Sequence, residues 1–325
     1  MSMRVAIVGA GVAGLSCGQA LLSAGAEVHW FDKSRATAGR ASAKRAFGSH
    51  VDLGAQYFTV RQLAFRQQVE LWEQQQLVAP WSAKLYSFSE GHLQQSADDI
   101  KRYVGLPAMH SPWRAGISEQ AFTLNCRIQS ISYQQGWQLQ AEDGRCFADF
   151  DALVLALPPA QASALLTQDE ALRQQVPISM LQPCQAIALA LSEPIAHPAT
   201  AVFVKDRPVS WVACDSDKPG RQSNSQHWVL HFTPEFSQQH LAATADELSL
   251  LAQAELSLLF QKDVQLAQSV HQRWLYAIVD AGQPAPGVLI SRRFPCVVTG
   301  DWCLGGRVEN AWLAGQQAAK AVLHV

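Results

Sequence analysis

The sequence predicts an α/β protein in which one domain is assembled from both chain ends and a β-rich α+β domain is inserted into it. Three observations predict this. A strand–turn–helix–strand unit with a glycine-rich turn opens the chain at residues 3–32. A short buried strand followed by an alanine-rich helix closes it at 297–323. The middle is dominated by short runs of β-type residues. The two ends share one buried α/β character and the middle does not, so a single domain closed by both ends is the economical arrangement.

Taken in order, Val5-Ala6-Ile7-Val8 reads as a buried strand, 15–22 as a helix and 28–31 as a second strand ending at Asp32. Gly9, Gly11 and Gly14 stand between them at G-x-G-x-x-G spacing. Gly9 allows a tight turn, Gly11 lets a pyrophosphate approach the backbone, and Gly14 lets helix and strand pack closely. The helix start offers free N–H groups and a positive dipole end to phosphate. Asp32 lies 18 residues beyond Gly14, near the distance at which a carboxylate accepts hydrogen bonds from a ribose. This context, and not the glycines alone, sets a Rossmann-type dinucleotide site above a merely structural glycine turn.

Residues 33–60 read as loop, and 61–76 as an amphipathic helix with Leu63, Phe65, Val69 and Trp72 on its apolar face. A hairpin is expected within 77–93, and 101–113 marks a boundary. Antiparallel strands follow at 125–133, 137–141 and 146–150. An apolar strand at 151–157 is stopped by Pro158-Pro159, with a helix at 160–166. Further β runs lie at 186–191, 201–205, 209–214 and 227–233, separated by a polar stretch, 215–225, that reads as an exposed loop. Residues 242–260 read as a helix, 264–276 as extended, 297–300 as a buried strand and 309–323 as the final helix.

Composition narrows the function. The 325 residues are 48% hydrophobic, enough for full cores, and the net charge of −2 leaves no broad footprint for nucleic acid. Seven scattered cysteines without a C-x-x-C pair argue against a disulfide framework or zinc ribbon, and fit a cytoplasmic protein. No H-E-x-x-H or G-x-S-x-G occurs, so neither a metal site nor a serine hydrolase is expected. No membrane span is expected either. The glycine turn divides the apolar N-terminal stretch, which favours the βαβ unit over a signal peptide. No obligate protein partner is inferred.

Three further motifs carry a family resemblance. Ala38-Gly39-Arg40 resembles the second glycine–arginine motif of flavoproteins related to amine oxidases. Asp52-Leu53-Gly54-Ala55-Gln56-Tyr57-Phe58-Thr59 is similar to the D-x-G-A-Q-Y-F-T segment of renalases. Thr299 to Trp312 resembles the C-terminal G-D-W-C-x-x-G-R-V-E-x-A-W segment of bacterial renalase-like enzymes, and Arg273-Trp274-Leu275-Tyr276-Ala277 matches there too. The chain departs from the common pattern with Ala at 38, where glycine is usual, and Asp at 32, where Glu is frequent.

The resemblance implies noncovalent FAD, held in a Rossmann-type FAD-binding domain of 1–60, 105–160 and 286–325, with a substrate domain of 61–104 and 161–285. The implied cofactor contacts are Gly9, Gly11, Ala13, Gly14, Asp32, Lys33, Gly39, Arg40, Ala55, Gln56, Tyr57, Ile128, Gly300, Asp301, Arg307 and Val308. Arg40 would place a charged fork on the pyrophosphate. Asp301 would lie near the ribityl chain and the following helix N-terminus near the flavin pyrimidine; Asp301 as a simple helix cap is compatible with both.

The implied reaction is oxidation of 2- and 6-dihydro isomers of NAD(P)H to NAD(P)+ by hydride transfer to flavin N5, with O2 as the acceptor and H2O2 as product. Restoring an aromatic pyridinium drives hydride loss, so no acid–base triad is needed, and the protein has to orient substrate and exclude water. Gln56, Trp274 and Trp302 are the catalytic-site candidates because they lie within the matched motifs. Tyr57, Trp81, Trp211, His231, Arg273, Tyr276 and Arg307 complete the pocket list. An isolated Trp or His in an apolar strand is more often core than ligand contact. The alternatives are an oxidase of a small or aromatic amine, a non-catalytic flavin-binding protein, and an NAD-only dehydrogenase.

Overall fold

The computed structural model describes residues 2–96, 98–221 and 223–324. The chain divides into two compact units: Met1–Ala41, Trp113–Leu181 and Val279–Val325 form the first, and Ser42–Pro112 and Gln182–Ile278 the second. Residues 42–60 and 105–112 thus fall in the second unit, and 161–181 and 279–285 in the first, so the compact units are cut at other positions than the FAD-binding and substrate domains expected from the motifs. The reasons are specific pairings. The strands Val78–Pro80 and Tyr103–Gly105 bond to each other, Asp52 is held by Lys218 and Arg221, and Asp169 accepts from the Ser291 hydroxyl.

The first unit contains a six-stranded sheet in the order Leu289–Ile290, Cys296–Val298, Ala152–Leu155, Arg4–Val8, Glu27–Phe31, Phe122–Thr123. Every pairing is parallel except the one at the Leu289–Ile290 edge. Parallel strands covered on both faces read as unbroken apolar runs, which is how VAIV, ALVL and CVV stand out in the sequence. The first helix, Val12–Ser23, packs against the last, Val308–Leu323. Their approach depends on Gly315, where a Cβ would lie 2.3 Å from the Ala13 carbonyl oxygen. A three-stranded antiparallel sheet, Ile128–Tyr133, Trp137–Ala141 and Cys146–Phe150, completes this unit.

The second unit is a seven-stranded sheet ordered Leu266–Val279, Leu181–Leu191, His227–Phe232, Val209–Cys214, Ala201–Val204, Leu85–Ser89, His92–Gln95. Period-two alternation sorts its residues. Ile187 and Leu189 enter the larger core, together with Leu248, Ala252, Leu256 and Leu259 of the helix Ala245–Phe260. Ala186 and Ala188 enter the opposite cluster, with Val51, Leu53, Val229 and the Trp274 ring packed against it. The helix starts at a capping box between Thr244 and Glu247, which is why the expected 242–260 helix begins later and a separate helix, Pro234–Gln239, precedes it.

Two expectations need correction. Residues 33–60 are not all loop, because Lys44–Ala46 and Ser49–Val51 form a hairpin. The polar stretch 215–225 is not an exposed loop: Asp215, Lys218 and Arg221 are buried. Its polarity serves buried ion pairs instead of solvent.

Candidate functional site

The glycine turn in the first unit sorts its three glycines by what surrounds them. A Cβ on Gly9 would lie 2.2 Å from the Ala156 oxygen, and one on Gly14 would lie 2.0 Å from the Gly9 oxygen. Those two are required by the protein's own packing. Gly11 differs, since a Cβ there would meet nothing within 4 Å. It is the extended residue before the first helix, and no side chain caps that helix start. Open space over uncapped N–H groups is what a dinucleotide pyrophosphate needs, so the residues present fit the group. The second glycine motif packs directly on the first, with the Ala38 N–H donating to the Ala10 oxygen at 2.7 Å. Ala38 adopts φ 73°, the left-handed region that explains why glycine is common at this position.

Asp32 ends its strand with both carboxylate oxygens fixed by backbone: Oδ2 accepts from Ala10 N–H at 2.8 Å and Oδ1 from Ser34 N–H at 2.7 Å. Each oxygen keeps lone-pair capacity for a ribose hydroxyl. Its neighbour Lys33 is exposed and reaches Gln161; partial burial and the nearby Arg127 lower its pKa. Backbone bonds from Asp32 to Thr123 and Cys126 bring the strand holding buried Ile128 beside this corner. Buried Ala13 lies in the first turn of the first helix.

Arg40 and Asp301, 261 residues apart, form a bidentate ion pair with N···O distances of 3.0 and 2.5 Å. The two expected ligand contacts are therefore one unit, each orienting the other. Asp301 follows Gly300, where a Cβ would fall 2.4 Å from the Trp302 indole nitrogen. Gly305, Gly306 and Arg307 then carry φ values of 85°, 84° and 81°, turning the chain into the last helix, which begins at Val308 without a side-chain cap. A non-glycine residue at such an angle is strained, and strain of this kind collects at functional turns. The Thr299 hydroxyl at the end of the preceding strand is buried without a hydrogen-bond partner.

Trp302 departs from its expected role. It is 1% exposed and donates its indole N–H to the Leu157 oxygen at 3.0 Å. It supports the turn from below and offers no accessible face to a substrate.

In the second unit, the segment 52–57 is held by side chains. Gln56 Nε2 donates to the oxygens of Asp52 and Gly54. The Leu53 oxygen accepts from Trp274 Nε1 at 3.0 Å and lies 3.1 Å from His231 Nε2. Three consecutive carbonyls are thereby tied back. Both Gln56 amide hydrogens are used, and its Oε1 accepts from Lys218 Nζ at 3.2 Å. With its amide hydrogens and Oε1 all engaged inside the unit, Gln56 holds the segment. Trp274, half-buried, does the same from the edge strand.

Behind the segment lies a sealed ion cluster. Lys218 reaches Asp215 Oδ1 at 2.6 Å and Asp52 Oδ2 at 3.3 Å, while Arg221 reaches the same Asp52 oxygen at 2.5 Å. Two cations balance two carboxylates, as a buried group of charges requires. Burial alone would raise the Asp215 carboxyl, but the Lys218 ammonium, His227 and Arg221 overcome this and hold it well below the usual carboxylate range. His231 is pushed down to about 4, first by burial and then by Lys218, against the Leu53 carbonyl that pulls the other way. It is neutral near pH 7 and donates to that carbonyl.

An aromatic group adjoins the segment within the same unit. The half-buried Tyr57 ring lies 5.4 Å from Trp211 and 6.4 Å from Trp81. The Arg102 guanidinium stands 5.1 Å over Tyr57 while its two terminal nitrogens pair with Asp98. Trp81 donates to Asp217, but the Trp211 indole N–H is buried without a partner. A cavity of about 450 Å³ in this unit, lined by Arg61, Arg66, Lys101, Glu70, Glu73 and Asp99, balances its charges and shows no ligand preference. Among the described residues no cluster of metal-ligating side chains occurs, and no helix is long and apolar enough to cross a membrane.

Asp52, Lys218, Asp215, Arg221 and His227 escaped the sequence reading as site residues. The available signal was a lone carboxylate, Asp52, leading an otherwise uncharged motif.

Residues 92–323 match the profile of the flavin containing amine oxidoreductases, and residues 7–75 that of an NAD(P)-binding Rossmann-like domain. The chain belongs to the flavin-containing amine oxidoreductase family. Members of this family are FAD-dependent oxidoreductases, and a flavin is the cofactor that the family implies here. Among solved structures, the fold is similar to that of a protein assigned as a protoporphyrinogen oxidase from Exiguobacterium sp. 255-15, with 10% identity and a TM-score of 0.78. It is also similar to wild-type putrescine oxidase bound to putrescine, with 12% identity and a TM-score of 0.76. Both comparisons cover 100% of each chain. This flavoprotein therefore shares its whole architecture with them at identities that speak to fold alone.

Proposed function

We propose that this flavin oxidoreductase is a renalase-like oxidase that takes hydride from 2- or 6-dihydro isomers of NAD(P)H and passes the electrons to O2, giving NAD(P)+ and H2O2. The observation that carries the reading is the chemistry of the aromatic group in the second unit. It presents rings suited to stacking, a guanidinium over Tyr57, and an indole donor on Trp211 that lacks a partner. Donors and a cation suit a planar ring bearing a carboxamide acceptor, and they disfavour an ammonium. The carboxylates beside this group, Asp217 and Asp98, are engaged by Trp81 and Arg102, and the reaction asks for no general base, because aromatisation drives hydride departure and no C–H proton has to be removed.

FAD would be held by the Gly9–Gly14 turn, Asp32, Gly39 and the Arg40–Asp301 pair, with Ala13, Lys33, Ile128, Gly300, Arg307 and Val308 around them. When bound, it supplies a two-electron acceptor. The chain's own residues orient substrate, exclude water and keep the carbonyls of 52–54 fixed. Noncovalent attachment agrees with the cysteines: Cys303, in the turn after Asp301, is buried and burial raises its thiol far from reactivity.

The test is anaerobic mixing of the purified protein with 6-dihydroNAD while following flavin absorbance near ~450 nm. Rapid bleaching, with recovery and peroxide on admitting air, is expected. A yellow protein bleached by an amine and not by dihydronicotinamides would move the assignment to amine oxidation.

A further inference from the structure

The aromatic group of the second unit is backed by cations. The Arg102 guanidinium stands 5.1 Å from the Tyr57 ring centroid, and the Lys218 ammonium 5.6 Å from that of the Trp81 ring. Both cationic side chains are sealed, at 6% and 0% exposure, whereas Tyr57 is only half-buried. A sealed guanidinium over the ring leaves the accessible part of Tyr57 on the side away from it. Asp98 takes both terminal nitrogens of Arg102 at 2.7 Å. At 29% exposure, however, the carboxylate is the better-solvated half of the pair. Water screens it more than the guanidinium, so the ring keeps positive charge behind it.

We propose that Arg102 is a specificity residue for redox state: it makes Tyr57 accept the neutral dihydronicotinamide ring and reject the pyridinium that oxidation leaves behind. This rests on the dihydronicotinamide reading above and deepens it. When the C–H bond breaks, the hydride leaves with both electrons, and the ring that remains carries one positive charge. The negative face of an aromatic ring ordinarily attracts such a cation. Here Arg102 already uses that attraction. A pyridinium stacked on the accessible side would stand roughly 9 Å from the guanidinium, with only a ring between the two charges. A neutral, electron-rich ring meets no such repulsion. The polar groups nearby agree. Arg102 Nε and Trp211 Nε1 are buried donors without partners, and the two adjacent carboxylates, Asp98 and Asp217, are each held by a donor. The substrate is thus retained while it is neutral and released by the charge it acquires.

Benzamide and 1-methylnicotinamide test this without turnover. Both are flat six-membered rings bearing a carboxamide, the first neutral and the second cationic. Each is titrated by calorimetry into the FAD-loaded, oxidised protein. The parent is expected to bind benzamide more tightly. Arg102→Met narrows the ratio of the two Kd values about fivefold or more, by tightening the cation. Arg102→Lys, which keeps a cation, retains the parent ratio. Loss of a merely structural contact would weaken both probes together and would not be rescued by lysine. Asp98→Asn keeps Arg102 and removes its counter-charge, so it widens the ratio. A ratio unmoved by both Arg102→Met and Asp98→Asn overturns the proposal, as does a parent that binds neither probe or prefers the cation. If 6-dihydroNAD bleaches the flavin while the ratio stays fixed, the proposed function stands and the role of Arg102 falls. If the ratio moves as expected in a protein that no dihydronicotinamide bleaches, the charge selection stands and the substrate is another neutral ring.

Discussion

The two units solve the problem of an interior polar site in opposite ways. The first keeps its sheet apolar and places its polar groups at strand ends. Asp32 and the Arg40–Asp301 pair sit where chains turn, and Arg40 keeps a third of its side chain in contact with solvent. The second buries four full charges, Asp52, Lys218, Asp215 and Arg221, with side chains 0–1% exposed. Charges at strand ends remain available to a ligand. Sealed charges stabilise one conformation of the backbone they hold, and removal of one member leaves its partners uncompensated. In the proposed cofactor placement the first arrangement serves binding, and the second holds backbone.

The sharpest way to break this contrast is to delete one carboxylate from each unit. Asp52→Ala leaves Lys218 and Arg221 short of a counter-charge and is expected to cost about 3–5 kcal/mol in urea unfolding of the flavin-free protein. Asp301→Ala is expected to cost about 1 kcal/mol or less while lowering flavin occupancy in the purified protein. Equal stability losses in the two variants would erase the distinction.

A change of pH probes the second unit further. The His231 pKa falls from 6.5 to about 4 in the folded chain. The unfolded chain therefore takes up the proton first. Stability is complete above about pH 6.5 and declines as pH falls toward 4, by on the order of 2 kcal/mol after allowing for partial exposure. Asp215, held low, adds stability that is present above the ordinary carboxylate range and is lost only in stronger acid. Thermal unfolding of His231→Gln should show a flatter profile between pH 6.5 and 4 than the parent protein. An unchanged slope would mean that another group governs this window.

The smallest stability effect is expected at Gly11. Ala fits there without contact, so Gly11→Ala should change flavin-free stability by no more than about 0.5 kcal/mol. Flavin affinity should fall about tenfold or more, since the methyl group occupies the space the pyrophosphate needs. Gly14→Ala, which clashes with the Gly9 oxygen, should by contrast lower stability itself. If Gly11→Ala binds flavin normally, the fit assigned to that turn is wrong.

What could be read from the sequence follows from how local each feature is. The opening turn is legible because Gly9, Gly11, Gly14 and Asp32 act within one βαβ unit. The strand 209–214 matches Val209–Cys214 because period and length agree. The ion cluster was hidden because its members lie 166 and 169 residues from Asp52. A polar run such as 215–225 looks the same in sequence whether it faces water or a buried carboxylate. Trp302 shows the converse limit: membership of a motif tells that a residue matters, and only packing tells that it matters as support.

The contact of the first and last helices through Gly315 has a consequence for synthesis. The Val12–Ser23 helix leaves the ribosome nearly three hundred residues before Val308–Leu323 does, and Arg40 waits 261 residues for Asp301. The second unit's segments emerge in the interval and can organise while the nucleotide turn is still open on one side. With the cofactor contacts proposed above, flavin capture waits for the end of translation, and a chain truncated before residue 300 is expected to retain the cofactor poorly.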